Sequence, residues 1–409
     1  MKILHTADWH LGLNLYQSSL EADHQLFLDW FLETCVPACK PDVLLIAGDI
    51  FDKANPPAYA RHQYFTFLSR LLTAGIRQVI ITAGNHDSPA MLEAPRELLQ
   101  KLNIYIQGTP PQDGQDLFIP IRNRADEAPA VMVAPIPYLR DQDLRLSGQE
   151  ESLENVSQAV REGIQAYYQR VAIAGEPYRN RGIPLIVMGH LFAQGAMVSD
   201  SEKSVQIGNL GAVAADCFPR EAFSYVALGH IHKPQPVQQA THIWYSGSPI
   251  PLSFSERSQQ KSLQLLTITG DSLQRESIAV PSFRDLLRIS GNLESVAQRL
   301  QNLQHDKPLP AYLELSIEEE TYHPTKGRDI ADLINKMNQT RKEVFQILHY
   351  QYRFTRDQPP LSAMTAETEL ESLQVSDVFT KKLNTSSLSE EDRNACLIAF
   401  HQILESLEN

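Results

Sequence analysis

Five short, largely apolar runs in this chain stop at small clusters of metal-competent side chains, and no other feature narrows the possible folds as much. Ile3–Thr6 leads into Asp8-Trp9-His10, Val43–Ala47 into Gly48-Asp49-Ile50-Phe51-Asp52, and Val79–Thr82 into Gly84-Asn85-His86-Asp87. Leu185–Met188 runs into Gly189-His190, and Tyr225–Leu228 into Gly229-His230-Ile231-His232. Val131–Ala134 and Ile243–Tyr245 are further β-branched runs without such an ending. Helical patterns over 21–34, 58–73, 91–101 and 152–172 fall between several of them, while 107–128 and 173–184 read as surface loops. Runs alternating with helices predict an α/β layered core, sheets covered by helices. In such sheets ligand sites lie at the carboxyl ends of strands, so ends far apart in sequence can meet in one pocket.

The glycines before these clusters let the backbone turn sharply and come close to a bound group. With a strand period of two, Asp8 and His10 would point together from an extended segment, as would His230 and His232. Asp8, His10, Asp49, Asn85, His190, His230 and His232 are too many ligands for one four-coordinate zinc, and they leave His86 and Asp52 over. A pair of ions sharing one carboxylate would absorb them. Mixed oxygen and imidazole ligands favour manganese, iron or zinc over magnesium or calcium, with manganese the first expectation. Two ions about 3.5–4 Å apart can clamp the attacking and leaving oxygens of a phosphoryl group and acidify a water between them. His86, beside Asn85 but not a ligand, could donate a proton or steady developing charge. A lone Asp or His at a strand end is ordinarily a hydrogen-bonding residue; the ordered set of clusters carries the reading.

A length of 409 residues exceeds one comfortable domain. From residue 284 the pattern changes to β-α-β-α-β: Leu286–Ile289, a helix over 293–303, Tyr312–Ile317, a helix over 328–338 and Val344–Tyr352. Residues 355–374 are polar, contain Pro359 and Pro360, and read as a linker. Helices near 376–384 and 389–407 follow, the second with an apolar stripe of Leu397, Phe400, Ile403, Leu404 and Leu407. The expected division is therefore 1–283, 284–354, 355–374 and 375–409. Four cysteines without CxxC spacing fit a reducing compartment. Nothing resembles a signal peptide or a membrane span, so a cytoplasmic protein is expected, off the membrane. A net charge of −13 argues against a large basic surface that grips DNA unaided.

The ordered set Asp-x-His, Gly-Asp-x-x-Asp, Gly-Asn-His-Asp, Gly-His, Gly-His-x-His resembles the calcineurin-like metallophosphoesterase superfamily over about the first 230 residues. Longer phrases are similar to SbcD-type nucleases: Lys2 to Gly12, Ser88 after the Gly84–Asp87 cluster, Tyr225 to His232, and Gly247 to Phe254. That resemblance implies a metal-dependent DNA nuclease, exonuclease on duplex ends and endonuclease on single strands or hairpins, serving repair, recombination or replication. By it, Asp8, His10, Asp49 and His232 would hold one metal, and Asp49, Asn85, His190 and His230 the other, with His86 catalytic. Asp52 stands where some archaeal relatives carry a second histidine, and reads as an orienting partner of a ligand. The resemblance also implies a homodimer through helices near 58–73 and 91–101, a capping role for 284–354, and tail helices that dock on an SbcC-type coiled-coil ATPase. Arg122, Arg124, Arg140, Lys233, Arg257 and Lys261 are candidates for a local basic rim towards DNA. The rival readings are a phosphoesterase of small mono- or diesters and an inert scaffold. The extra unit and tail argue against the first, the full ligand set against the second.

Overall fold

The computed structural model describes residues 1–111, 116–124, 127–144, 153–197, 212–237, 240–270, 272–320 and 325–354, with seven isolated positions between 379 and 400. Two six-stranded sheets form its centre. The first is ordered Ser272–Ala279, Ser262–Thr269, Lys2–Thr6, Val43–Ala47, Gln78–Thr82, Ile104–Gln107. Its last four strands run parallel, and Ser262–Thr269 returns antiparallel beside Lys2–Thr6. The second is ordered Gln235–Val237, Ala240–Tyr245, Tyr225–Gly229, Leu185–His190, Val131–Pro135, Ile119–Ile121, parallel inside and antiparallel at both edges.

Side-chain alternation explains why the sheets stack. Ile3, Val43, Leu45 and Ile80 of the first sheet meet Val133, Ile186, Met188, Tyr225 and Ala227 of the second in one buried layer. Their neighbours Leu4, Leu44, Ile46, Val79 and Ile81 face the other way, onto Phe27, Phe31, Phe67 and Leu68 of the covering helices. Val187, Val226 and Leu228 face the long helix Leu153–Ala174 through Ile164, Tyr168 and Val171. A strand covered on both sides must be apolar at every position, which is why these runs read as continuous. Each such side chain contributes about 1.5–3 kcal/mol by leaving water.

The helices depart in detail from the periodicity. The pattern over 21–34 becomes Glu21–Trp30, a wider turn at Phe31–Cys35, and Val36–Cys39, ended by Lys40 at φ +50°. The pattern over 91–101 splits into Pro89–Glu93 and Arg96–Gln100, because Pro95 cannot continue a helix. Ile119–Ile121 is a strand inside a segment expected to be loop. Among the described residues no helix is long and apolar enough to cross a membrane.

The later residues form a parallel three-stranded sheet, Leu286–Gly291, Ala311–Glu319 and Phe345–Phe354, with helices Leu293–Asn302 and Lys326–Thr340. It has its own core, including Val296, Leu300, Leu313, Leu315, Ile330 and Phe345. Arg284 ties it to the first helix through a buried two-pronged pair with Asp23, at 2.8 and 2.9 Å, and lies 3.7 Å above the Tyr312 ring. Tyr16, in the loop after His10, donates to Glu314 at 3.0 Å and stacks on His349 at 4.7 Å. The linker 355–374 lies outside the described residues. So do the tail helices, apart from seven helical positions in which Phe379 and Phe400 stack at 3.9 Å.

Candidate metal centre

The expected ligands converge at the carboxyl ends of the central strands, but not by strand alternation. Lys2–Thr6 has ended before Asp8, and Asp8, His10 and Asp49 adopt left-handed backbone at φ +54°, +47° and +50°, with His230 at +97°. Such conformations cost on the order of 1–3 kcal/mol each and persist only where the surroundings impose them. Here the first two loops zip together beyond their strands: Asp8 N–H donates to Gly48 O at 3.1 Å, His10 N–H to Asp49 O at 3.0 Å and Leu11 N–H to Ile50 O at 2.9 Å. Trp9 turns away into the core, edge-on to Phe27 and Phe67, and so fixes the residues on either side of it. His24 takes up the Trp9 carbonyl at 2.7 Å from behind.

The second and third loops are sewn together by Asp87. Its buried carboxylate accepts from the amides of Ile50 at 3.1 Å, Phe51 at 3.0 Å and Gly84 at 2.9 Å. A Cβ on Gly84 would lie 2.0 Å from Asp49 Oδ1, and one on Gly48, at φ +84°, would lie 2.2 Å from His190 Nδ1. These two positions need glycine for closeness to the site.

Asp49 is the common point. Its Oδ2 lies 3.5 Å from His10 Nε2 and 3.1 Å from His190 Nε2, and its Oδ1 accepts the His86 amide at 3.0 Å. Two ligand-sized clusters share it: His10, Asp49 and His86 on one side, Asp8, Asp49 and His190 on the other. Asn85 Oδ1 sits 3.1 Å from both His190 Nε2 and His230 Nδ1. The His232 ring lies 5.0 Å from that of His10. Asp52 presents its carboxylate to His10 Nδ1 at 3.6 Å and its carbonyl to His86 Nδ1 at 2.8 Å. The seven expected ligands, with His86 and Asp52, are thus brought into one neighbourhood.

The protonation states follow from burial and charge. Burial pushes the Asp8 carboxyl up to about 6, against the pull of His190 and His232. Burial also disfavours charge on Asp49, yet His190 and His86 hold it well below the usual carboxylate range. Burial opposes a charged His190 as well, but Asp49 and then Asp8 outweigh it and raise that ring to about 9. Burial and the His190 charge push His230 down to about 3, and burial lowers His10. Asp8 Oδ2 and His10 Nε2 are buried without a hydrogen-bond partner. A buried polar atom left so is costly, and these two, carboxylate oxygen and imidazole nitrogen beside a shared carboxylate, fit divalent cations.

Sequence reasoning misses two residues and misreads a third. Asp87 is legible as part of a motif but not as the clamp it is. Glu256, fully buried, faces His232 Nδ1 at 3.1 Å, and only its nearness to the Gly247–Phe254 phrase points to it. Lys261 is no part of a basic rim: it is buried, with its ammonium 2.6 Å from Glu256 Oε2. Arg140 is half-buried at the edge of the site, donating to the Asp87 carbonyl at 3.0 Å. Arg122, Arg124 and Arg257 are exposed.

A family model described as calcineurin-like phosphoesterase matches residues 1–234. A second, described as type 5 capsule protein repressor C-terminal domain, matches residues 282–386. The chain is 34% identical to the D subunit of the SbcCD nuclease of Escherichia coli (strain K12), over all of this chain and 98% of that one. It is 38% identical to the protein of the same name from Rhodobacter capsulatus over 71% of each chain. With that of Bacillus subtilis it shares 32% over 70% of this chain and 72% of the other.

Proposed function

We propose, from the premise that the chain belongs to the SbcD family of calcineurin-like phosphoesterases, that it is a metal-dependent nuclease cleaving DNA phosphodiester bonds as part of an SbcCD-type complex. The observation that carries the chemistry is Asp49, one buried carboxylate shared by two ligand clusters. Asp8, His10, Asp49 and His232 would hold one divalent ion, and Asp49, Asn85, His190 and His230 the other. When bound, the pair supplies Lewis acidity and an acidified water, and manganese suits the mixed oxygen and nitrogen set.

The protein's own groups do the rest. His86 keeps Nδ1 on the Asp52 carbonyl, which leaves Nε2 to deliver a proton to the leaving oxygen. Asp87 keeps the Asp49 and Asn85 loops in register. A second reading of His86, as a ligand, is supported by its cluster with His10 and Asp49.

The partner is an SbcC-type coiled-coil ATPase, docked by the tail beyond 375, with 284–354 capping the site. Exposed Phe65, Leu72, Leu98 and Leu102 support a homodimer through the helices Ala58–Leu71 and Arg96–Gln100. DNA shared among two copies of this chain and the ATPase answers the net charge of −13. The four free cysteines support a reducing, cytoplasmic setting.

The test is end-labelled linear duplex DNA with manganese, with and without the ATPase and ATP. Asp49→Asn should abolish cutting, and His86→Gln should slow it by about 10²–10⁴-fold with both ions still bound. If His86→Gln releases one ion, His86 is a ligand. If no DNA is cut while a simple phosphomonoester is hydrolysed, the metal site stands and the substrate assignment fails.

A further inference from the structure

Glu256 and Lys261 form an ion pair sealed from solvent, with side chains 0% and 4% exposed and a separation of 2.6 Å. Desolvating two charges costs several kcal/mol per ion, and an apolar pair of the same volume would often serve stability as well. The contacts of this pair show what it holds. Glu256 Oε1 lies 3.1 Å from His232 Nδ1, and Lys261 Nζ donates to the His232 carbonyl at 2.9 Å. Ser248 completes the cradle: its amide donates to the same carbonyl at 3.0 Å, and its hydroxyl accepts from Lys261 at 2.9 Å. Glu256 Oε2 also accepts the Leu252 amide at 3.2 Å. Both the ring and the backbone of His232 are gripped by one pair of opposite charges.

His10 Nδ1 also faces a carboxylate, that of Asp52 at 3.6 Å, but two other histidines are anchored differently. His190 and His86 rest Nδ1 on the backbone carbonyls of Ala47 and Asp52, at 2.9 and 2.8 Å. A carboxylate on Nδ1–H fixes the tautomer, leaves the Nε2 lone pair facing outward, and makes it more basic than a carbonyl does. Glu256 reaches His232 because the short helical turn Phe254–Glu256 is pinned by Phe254, buried in the core.

We infer that the Glu256–Lys261 pair is the positioning device for His232, and that it sets the affinity of the ion His232 would hold without touching the Asn85–His190–His230 side. Glu256 is a positioning residue: it acts through His232 and touches neither ion nor substrate. The inference rests on the two-metal reading above.

Manganese titration of the full-length chain, read by electron paramagnetic resonance and calorimetry, tests it without reference to cleavage. The wild type should take up two ions per chain. Glu256→Gln should keep one at unchanged affinity and bind the other about 10–100-fold more weakly. A Glu256→Gln/Lys261→Met double variant, which leaves no buried charge unpaired, should show the same selective loss while remaining folded. It carries the test if the single variant does not fold. Two ions bound at wild-type affinity in the double variant would overturn the inference. So would equal weakening of both ions, which marks a merely structural role. A wild-type chain that takes up no second ion would sink the two-metal reading itself, and this inference with it.

Discussion

The two central sheets serve the site in different ways. The first delivers Asp8, His10 and Asp49 on loops, in left-handed backbone that the chain would not choose unaided. The second delivers His190 as the last residue of a regular strand, paired with Gly229 and resting on the Ala47 carbonyl of the opposite sheet, and adds His230 and His232 on the loop after Tyr225–Gly229. A ligand inside a strand inherits its position from the register. A ligand on a loop needs clamps, and here they are the rungs between the first two loops and the carboxylate of Asp87. The difference teaches where the molecule is vulnerable: ligands on loops, His230 and His232 included, should fail through their clamps, and strand-borne His190 only through its own side chain.

The largest effect should come from breaking the clamp. Asp87→Ala leaves the buried amides of Ile50, Phe51 and Gly84 without their acceptor, at a cost of about 3 kcal/mol. Manganese-dependent cleavage should fall by about 10–100-fold, as for other residues that orient ligands. Urea unfolding alongside nuclease assays measures both, and unchanged stability would remove the distinction drawn between loop and strand ligands.

A smaller effect sharpens the weld between them. His5 of the first sheet meets Tyr225 of the second through Nδ1 at 3.0 Å, and burial pushes its ring down to about 3. A histidine depressed in the folded state contributes stability that is complete above its unfolded value, about 6.5, and is lost as pH falls towards 3. Asp8 and Asp87, raised to about 6 chiefly by burial, act in the opposite sense, so the wild-type profile alone does not isolate His5. The difference between wild type and His5→Gln does. It should shift by about 1.4 kcal/mol per pH unit in the variant's favour from pH 6.5 down to 4.5. A flat difference would mean that His5 is charged in the folded protein.

The smallest effect concerns the outlying three-stranded sheet. Tyr16→Phe removes the exposed hydrogen bond to Glu314 and should cost about 0.5–1 kcal/mol, read from thermal unfolding. A loss several times larger would show that the two bodies lean on this loop far more than on the buried Asp23–Arg284 pair.

What is legible in the sequence follows the same physics. Strands covered on both faces, such as Val43–Ala47, are apolar throughout and can be placed to within about a residue or two. Ile119–Ile121 reads as loop, because a three-residue edge strand with Pro120 at its centre looks like a turn; edge strands tolerate proline. Ser272–Ala279 escapes notice as well, since one exposed face makes it mostly polar. The ligand types are readable, but the reason they converge is not: alternation predicts extended backbone at Asp8 and His10, where the chain is left-handed. Lys261 is misplaced for a related reason. A lysine reads as surface until its buried partner is known, and Glu256, five residues away, carries no motif to announce it.

The left-handed ligands leave the chain little freedom to drift. At Asp8, His10 and Asp49 the backbone favours glycine, the residue that would relax it, while the chemistry asks for a carboxylate or an imidazole. Any substitution that relieves the backbone deletes a ligand, and any that keeps the ligand keeps the strain. Gains in robustness must therefore come from elsewhere in the molecule, and selection for function holds these loops at a permanent thermodynamic disadvantage.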